Sequence, residues 1–229
     1  MMNPIPFIDI HTHPFRNETE TVTVQNLFPG DGFAAFSGRN FYSVGLHPWH
    51  IKSPDENNEK LIMVKEALDF NHVIFVGECG LDKKAITNFE EQKRVFEAQA
   101  IMAEEFEYPL IIHCVKAYNE VLELHKKLKP AMSWIMHSYN GNIQITQQIL
   151  NKGFLFSFGE NLFKSNPKTV ELFQFLPLNT IFFETDEFDG EVEKMYQKAA
   201  EIREIPIGDL KMAVWENFNR IEKRWVGRS

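Results

Sequence analysis

Two rhythms of apolar and polar positions alternate along this chain. Short runs that are apolar on both faces are followed by longer segments whose apolar positions recur every three or four residues. The first kind reads as buried strands, the second as helices with one face turned to a core. Phe7-Ile8-Asp9-Ile10 opens the series. Phe41 to His50, Val73 to Glu78, Pro109 to His113, Ser133 to His137, Phe154 to Gly159 and Thr180 to Asp186 repeat it. Helical spacing is predicted over 58–70, 88–106, 118–128, 143–150, 167–175, 192–202 and 210–225. Pro29-Gly30-Asp31-Gly32 reads as a turn, and Lys152-Gly153 as a helix end.

Repeated βα units imply a parallel sheet with helices outside it. The chain shows no domain break, repeat or low-complexity stretch, so 1–229 is expected to be one domain. Its 229 residues suit an α/β (β/α)8 TIM-type barrel. One place breaks the rhythm. Thr21-Val22-Thr23-Val24-Gln25 alternates like a strand, yet only about seven residues separate it from the first strand, fewer than a parallel crossover usually takes. It is expected to be irregular or antiparallel and to distort the barrel at its second position. An open doubly wound sheet is the runner-up, but that fold carries a glycine-rich turn after its first strand, where this chain has His-Thr-His-Pro.

The strand ends carry the candidate chemistry. His11 and His13 are spaced i, i+2, so both imidazoles leave one face of the first strand and can share an ion. Asp9 points the same way and can orient a ligand or the strand end. Later strands end at Glu78, His113, His137 and Asp186. A barrel brings strand C-termini to one rim. Four imidazoles and two carboxylates suit Zn²⁺, Mn²⁺ or a similar ion. Six ligands exceed one tetrahedral site and fit two divalent ions (Mg, Mn or Zn) about 3.5–4 Å apart. Glu78, from the middle of the set, is the natural bridge. Such a pair activates a water, and Asp186 is the best base to take its proton. The reaction class is hydrolysis without a covalent intermediate. Lys83, Lys84 and Lys116 lie in rim loops where they can meet phosphates. Phe15, Trp49, Tyr139 and Phe188 follow rim motifs as candidate stacking faces. His50 reads as a loop residue at the rim, His72 as structural at the opposite end, and His125 as solvated on its helix.

Totals narrow the partners. Apolar residues make up 44% and charged ones 24%, enough for a sizeable core. A net charge of −8 argues against a broad basic face for nucleic acid, so an anionic substrate needs a local cation. Cys79 and Cys114 make no disulfide framework and alternate away from the ligands, which fits a reducing compartment. No signal region or bilayer-length apolar run stands out, so a soluble, cytoplasmic protein with no membrane partner is expected. No protein partner is inferable.

Taken together, Asp9-Ile10-His11-Thr12-His13, Gly45-Leu46-His47-Pro48, Gly77-Glu78-Cys79-Gly80-Leu81-Asp82, Ile111-Ile112-His113, His137-Ser138-Tyr139-Asn140-Gly141 and Glu184-Thr185-Asp186 resemble the TatD family of metal-dependent hydrolases. The words come in that family's order and span nearly the whole chain. The resemblance implies a distorted TIM barrel and a two-metal site. His11, His13, Glu78 and Asp186 would hold one ion, and Glu78, His113 and His137 the other. It places His47 near a substrate phosphate and gives Glu184 a supporting role behind the metal ligands. It implies a deoxyribonuclease, with 3′–5′ exonuclease-like action on DNA or an oligonucleotide. The chain departs from the pattern in three places: a short segment after the first strand, Lys116 where the family has an arginine nearby, and a short acidic end, Glu187-Phe188-Asp189-Gly190. The last favours the alternative, a hydrolase of a small phosphate ester, lactone or amide. A metal-binding scaffold without catalysis is the third reading.

Overall fold

The computed structural model describes residues 5–16, 19–31 and 40–222. Gly32 of the predicted turn and the end of the last predicted helix lie outside them. The strands are β1 (Phe7–Thr12), β2 (Thr21–Leu27), β3 (Asn40–Val44), β4 (Val73–Asp82), β5 (Leu110–Val115), β6 (Trp134–Met136), β7 (Leu155–Phe158) and β8 (Ile181–Phe183). The helices are α1 (Pro54–Ala67), α2 (Phe89–Glu105), α3 (Tyr118–Leu128), α4 (Ile143–Leu150), α5 (Glu160–Phe163), α6 (Pro167–Phe175), α7 (Val192–Arg203) and α8 (Ile207–Ile221). Strand order in the sheet follows chain order from β1 to β8. This is the (β/α)8 barrel topology the sequence predicts.

The described residues group into two compact units: 5–16, 19–25, 40 and 137–222 in the first, 26–31 and 41–136 in the second. In the first, β7 pairs parallel with β8 and β1 with β2. An isolated parallel bridge, Thr12 to Asp186, joins the end of β1 to the residues after β8. In the second, β3, β4, β5 and β6 pair in parallel succession.

β2 corrects the antiparallel expectation: Phe7 pairs with Thr21 and Ile8 with Val22 in parallel register. The end of β1 at Thr12 and the start of β2 at Thr21 are separated by no more than the length of one short strand. Extended chain covers ~3.3 Å per residue, so eight residues reach about 26 Å, more than the strand's own length. A helical crossover is therefore unnecessary. The irregularity expected here is present as a register shift between Asp9 and Thr12.

The predicted helix at 58–70 begins earlier, at Pro54. Ser53 caps it in a reciprocal box with Glu56, and that polar first turn carries no apolar rhythm to read. Phenylalanines fill both cores. In the first unit Phe158, Phe173, Phe183 and Tyr196 form a chain of rings 4.5–5.9 Å apart. In the second, Phe96 meets Trp134 edge-on at 5.7 Å. His125 also stands edge-on to Trp134, at 5.1 Å, and so packs where the sequence suggests solvation. Tyr139 is buried, its hydroxyl 2.8 Å from Thr146 Oγ1 and its ring against Phe156, and so offers no stacking face.

Tyr196 anchors β1. Its buried hydroxyl accepts from Ile8 N and donates to Ile8 O, both at 3.1 Å, satisfying strand groups that the three-residue β8 leaves over. Tyr196→Phe strands both in an apolar setting. It is expected to cost about 1–3 kcal/mol in urea denaturation with an unchanged slope. A loss below about half a kcal/mol would show that the pair is not what holds the strand.

Candidate metal centre

Each unit carries its own donor set. In the first, His11 lies one residue before the end of the buried β1, and Asp186 follows β8. Two backbone bonds hold them together: His13 N donates to Asp186 O at 3.2 Å, and Asp186 N donates to His11 O at 3.0 Å. The Asp186 carboxylate oxygen Oδ1 then lies 3.4 Å from His13 Nε2 and 3.8 Å from His11 Nε2. His137 brings its ring centroid 4.6 Å from that of His11. Donor atoms of His11, His137 and Asp186 fall within 4.8 Å of one another. Asp186 (φ 53°) and Ser138 (φ 45°) both sit in the left-handed region, where non-glycine residues are uncommon.

Two buried acids stand behind this set. Glu184 accepts from Ser138 N at 2.7 Å and from Ser157 Oγ, and its Oε1 lies 3.4 Å from His137 Nδ1. Burial raises the proton affinity of Glu184, but His137 and His11, with the Ser157 hydroxyl, hold the carboxyl below the usual range. Asp9 accepts from Thr185 N at 3.0 Å and Thr185 Oγ1 at 2.6 Å. Burial pushes its pKa up to about 7 against those hydrogen bonds. Asp9 thus fixes the strand end next to Asp186, the second of the roles its sequence position suggests. Arg16 lies in a polar stretch whose sequence carries no motif. Its guanidinium donates to Gly190 O at 2.7 Å, Phe188 O at 2.6 Å and Thr12 Oγ1 at 3.1 Å. It clamps the acidic loop after Asp186, a tie that no local spacing announces.

The second unit holds His47, Glu78 and His113, with donor atoms again within 4.8 Å. Glu78 Oε1 lies 2.8 Å from His113 Nδ1 and 3.2 Å from His47 Nε2. Glu78 N donates to Asn26 Oδ1 at 2.6 Å, which also accepts from Ser43 Oγ. Glycines let the backbone approach closely here. Gly77 (φ 137°) and Gly80 (φ 146°) bracket Glu78, and a Cβ on Gly80 would stand 2.0 Å from His113 O.

Asp82 belongs to the same cluster. The sequence ends the strand at Glu78, but β4 runs on to Asp82, four residues later and so on the same face. That even spacing is the signal the sequence offers. Asp82 accepts from Trp49 Nε1 at 2.6 Å and Lys84 N at 2.7 Å. Burial opposes its ionisation, yet the bonds from Trp49, Lys84 and His113 hold its carboxyl below the ordinary range.

His47 caps the short turn that follows it. Its Nδ1 accepts from Trp49 N at 3.1 Å, which leaves the proton on Nε2. Lys83 is engaged by Glu120 Oε1 at 2.5 Å and lies over the Phe89 ring, while Lys116 is exposed just past β5. Trp49 and Phe15 are exposed, and Phe188 packs against Phe163 at 5.2 Å. Cys79 is buried and Cys114 partly so, with burial pushing Cys114 up to about 12 and Cys79 well above its ordinary value, so neither is a nucleophile. Among the described residues no helix is long and apolar enough to cross a membrane.

The donor types fit a divalent ion: imidazole nitrogens and carboxylate oxygens gathered into sets small enough for one ion each. Sequence comparisons agree with this chemistry, and a structure comparison agrees with the fold. The metal-dependent hydrolase YabD of Bacillus subtilis is 27% identical over 197 residues, 79% of this chain and 76% of that one. A human 3′-5′ RNA nuclease, TATDN2, is 31% identical over 150 residues, 63% of this chain and 19% of that one. The crystal structure of YjjV, a TatD homologue from Escherichia coli, superposes with a TM-score of 0.79 at 19% identity, covering 95% of this chain and 98% of that one. The family model for TatD related DNase matches residues 32–223. Matched over most of its length, the chain belongs to the TatD related DNase family of metal-dependent hydrolases.

Proposed function

We propose that the 229-residue chain is a single hydrolase domain that cleaves phosphodiesters, with DNA or an oligonucleotide attacked from its 3′ end as substrate. The observation that carries this is the pair of donor sets, His11, His137 and Asp186 in one unit and Glu78 and His113 in the other. Two divalent ions, Mg, Mn or Zn, are the expected cofactors. His11, His13 and Asp186 would hold one and His113 the other. Service of Glu78 to both, and of His137 to the second, is the arrangement the family resemblance implies. Ions held by these residues would supply Lewis acidity toward a phosphoryl oxygen and a water acidic enough to attack at neutral pH.

The chain's own groups do the rest. Asp186, part-exposed beside His13, takes the proton of the attacking water. His47, whose Nε2 faces Glu78 Oε1 at 3.2 Å, would donate to a phosphate oxygen on turning from that carboxylate. Lys116, exposed past β5, adds charge for the substrate backbone, with Lys83 able to join it only on leaving Glu120. Glu184 holds His137 in place, and Asp9 holds Thr185 beside Asp186.

One observation favours the small-ester alternative. Glu187 Oε1 sits 4.0 Å from His13 Nε2 and is well exposed, so an added negative charge faces any approaching polyanion. The deciding assay uses purified protein with Mg²⁺, Mn²⁺ or Zn²⁺ against single-stranded DNA, a chromogenic phosphodiester and a carboxyl ester. Shortening of DNA from its 3′ end is the expected result. Rapid ester turnover with no DNA cleavage under any ion would transfer the reading to the small-molecule alternative.

A further inference from the structure

We propose that Asp82 is a positioning residue for His113, fixing which imidazole nitrogen faces Glu78. The inference rests on the proposed function in one respect, that His113 is a metal ligand.

The geometry is specific. His113 presents Nδ1 to Glu78 Oε1 at 2.8 Å and Nε2 to Asp82 Oδ2 at 3.3 Å. A ligating histidine usually passes its other N–H to a carboxylate, which fixes the ring's orientation and tautomer and makes the free nitrogen more basic. Asp82 is the carboxylate at that second nitrogen. It is itself held from four directions. Trp49 Nε1 donates to the same oxygen, Oδ2, at 2.6 Å. Lys84 N donates to Oδ1 at 2.7 Å. On the backbone side, Asp82 N donates to Gln92 Oε1 at 2.8 Å, and Gln92 Nε2 returns a bond to Asp82 O at 3.1 Å. The residue is 3% exposed. A buried carboxylate with one oxygen spent on backbone and the other divided between an indole and an imidazole cannot swing away from His113. Nδ1 is therefore the nitrogen left for an ion.

The test compares wild type with Asp82→Asn and Asp82→Ala. Chelated protein is titrated with Zn²⁺ by calorimetry, and the His113 side-chain nitrogens and Hε2 proton are followed by NMR in metal-free protein. Each variant is expected to bind one Zn²⁺ about 10–100-fold more weakly while still folded at the titration temperature. The wild-type Hε2 resonance should be slow to exchange and should vanish in Asp82→Ala. Wild-type affinity in both folded variants, with an unchanged His113 resonance, overturns the proposal. Should Asp82→Ala fail to fold, Asp82→Asn, which preserves the side chain's shape and keeps one acceptor oxygen for either Trp49 Nε1 or Lys84 N, decides in its place. Should wild type bind no divalent ion, the metal reading fails. The resonance then decides for Asp82 by itself: lost in the variant, it upholds the hold on His113; retained, it ends the proposal.

Discussion

Asp186→Asn is expected to lower turnover about 10²–10⁴-fold while leaving a folded protein, the range that removal of a general base gives. Asparagine is the informative replacement because Asp186 sits at φ 53°, a left-handed conformation that asparagine tolerates and most side chains resist. The backbone bonds to His11 and His13 survive, since they use Asp186 N and O and not the carboxylate. The amide keeps one oxygen near His13 Nε2 but cannot accept a proton from water. Asp186→Ala would mix this loss with backbone strain and could not be interpreted as cleanly. Steady-state turnover is measured beside metal content by atomic emission. Retained metal with lost turnover marks Asp186 as the base. Turnover within about tenfold of wild type would remove it from that role. A wild type that binds metal yet turns over nothing would leave the scaffold reading standing.

Much of this arrangement is legible in the amino-acid sequence, because strand-end residues announce themselves by period. His11 and His13 share a face by simple alternation, and Glu78, His113, His137 and Asp186 each close an apolar run. The parts that the sequence hides depend on where the chain goes after a strand ends. Asp82 lies past what reads as a strand's terminal acid, and only the continued pairing of Leu81 with Cys114 and Asp82 with Val115 shows that β4 extends that far. Arg16 finds its partners Phe188 and Gly190 more than 170 positions away. Glu184 reaches His137 because Ser138 turns left-handed and offers its N–H, a backbone choice that no side-chain pattern encodes. β2 departs from its sequence reading for the opposite reason: a general rule about crossover length does not bind where an extended return suffices. The donors follow from strand periodicity, whereas the groups that aim them are set by turns and tertiary contacts.

Gly80→Ala should be the most damaging single methyl added at a described glycine. Gly80 pairs with His113 across the β4–β5 ladder at φ 146°, where a Cβ would lie 2.0 Å from His113 O, 2.9 Å from its C and 3.1 Å from its N. No rotamer relieves a clash between a Cβ and backbone, so the two strands must part or β4 must change its dihedrals. The dihedral strain alone costs about 1–3 kcal/mol. Parting the strands adds lost pairing from Gly80 to Asp82 and draws His113 away from Glu78 and Asp82. Gly153→Ala is the matched control: Gly153 also has positive φ, 81°, but a Cβ there meets nothing within 4 Å. The difference between the two variants therefore isolates the steric part. Gly80→Ala is expected to lose at least ~2 kcal/mol more than Gly153→Ala in urea denaturation, a difference of the size seen for overpacking. It should also lose more than about tenfold in turnover, as misplacement of a site residue does, while Gly153→Ala keeps its activity. Equal stability losses would mean that β4 and β5 do not approach so closely at Gly80, and the placement of His113 against Glu78 and Asp82 would fall with that contact.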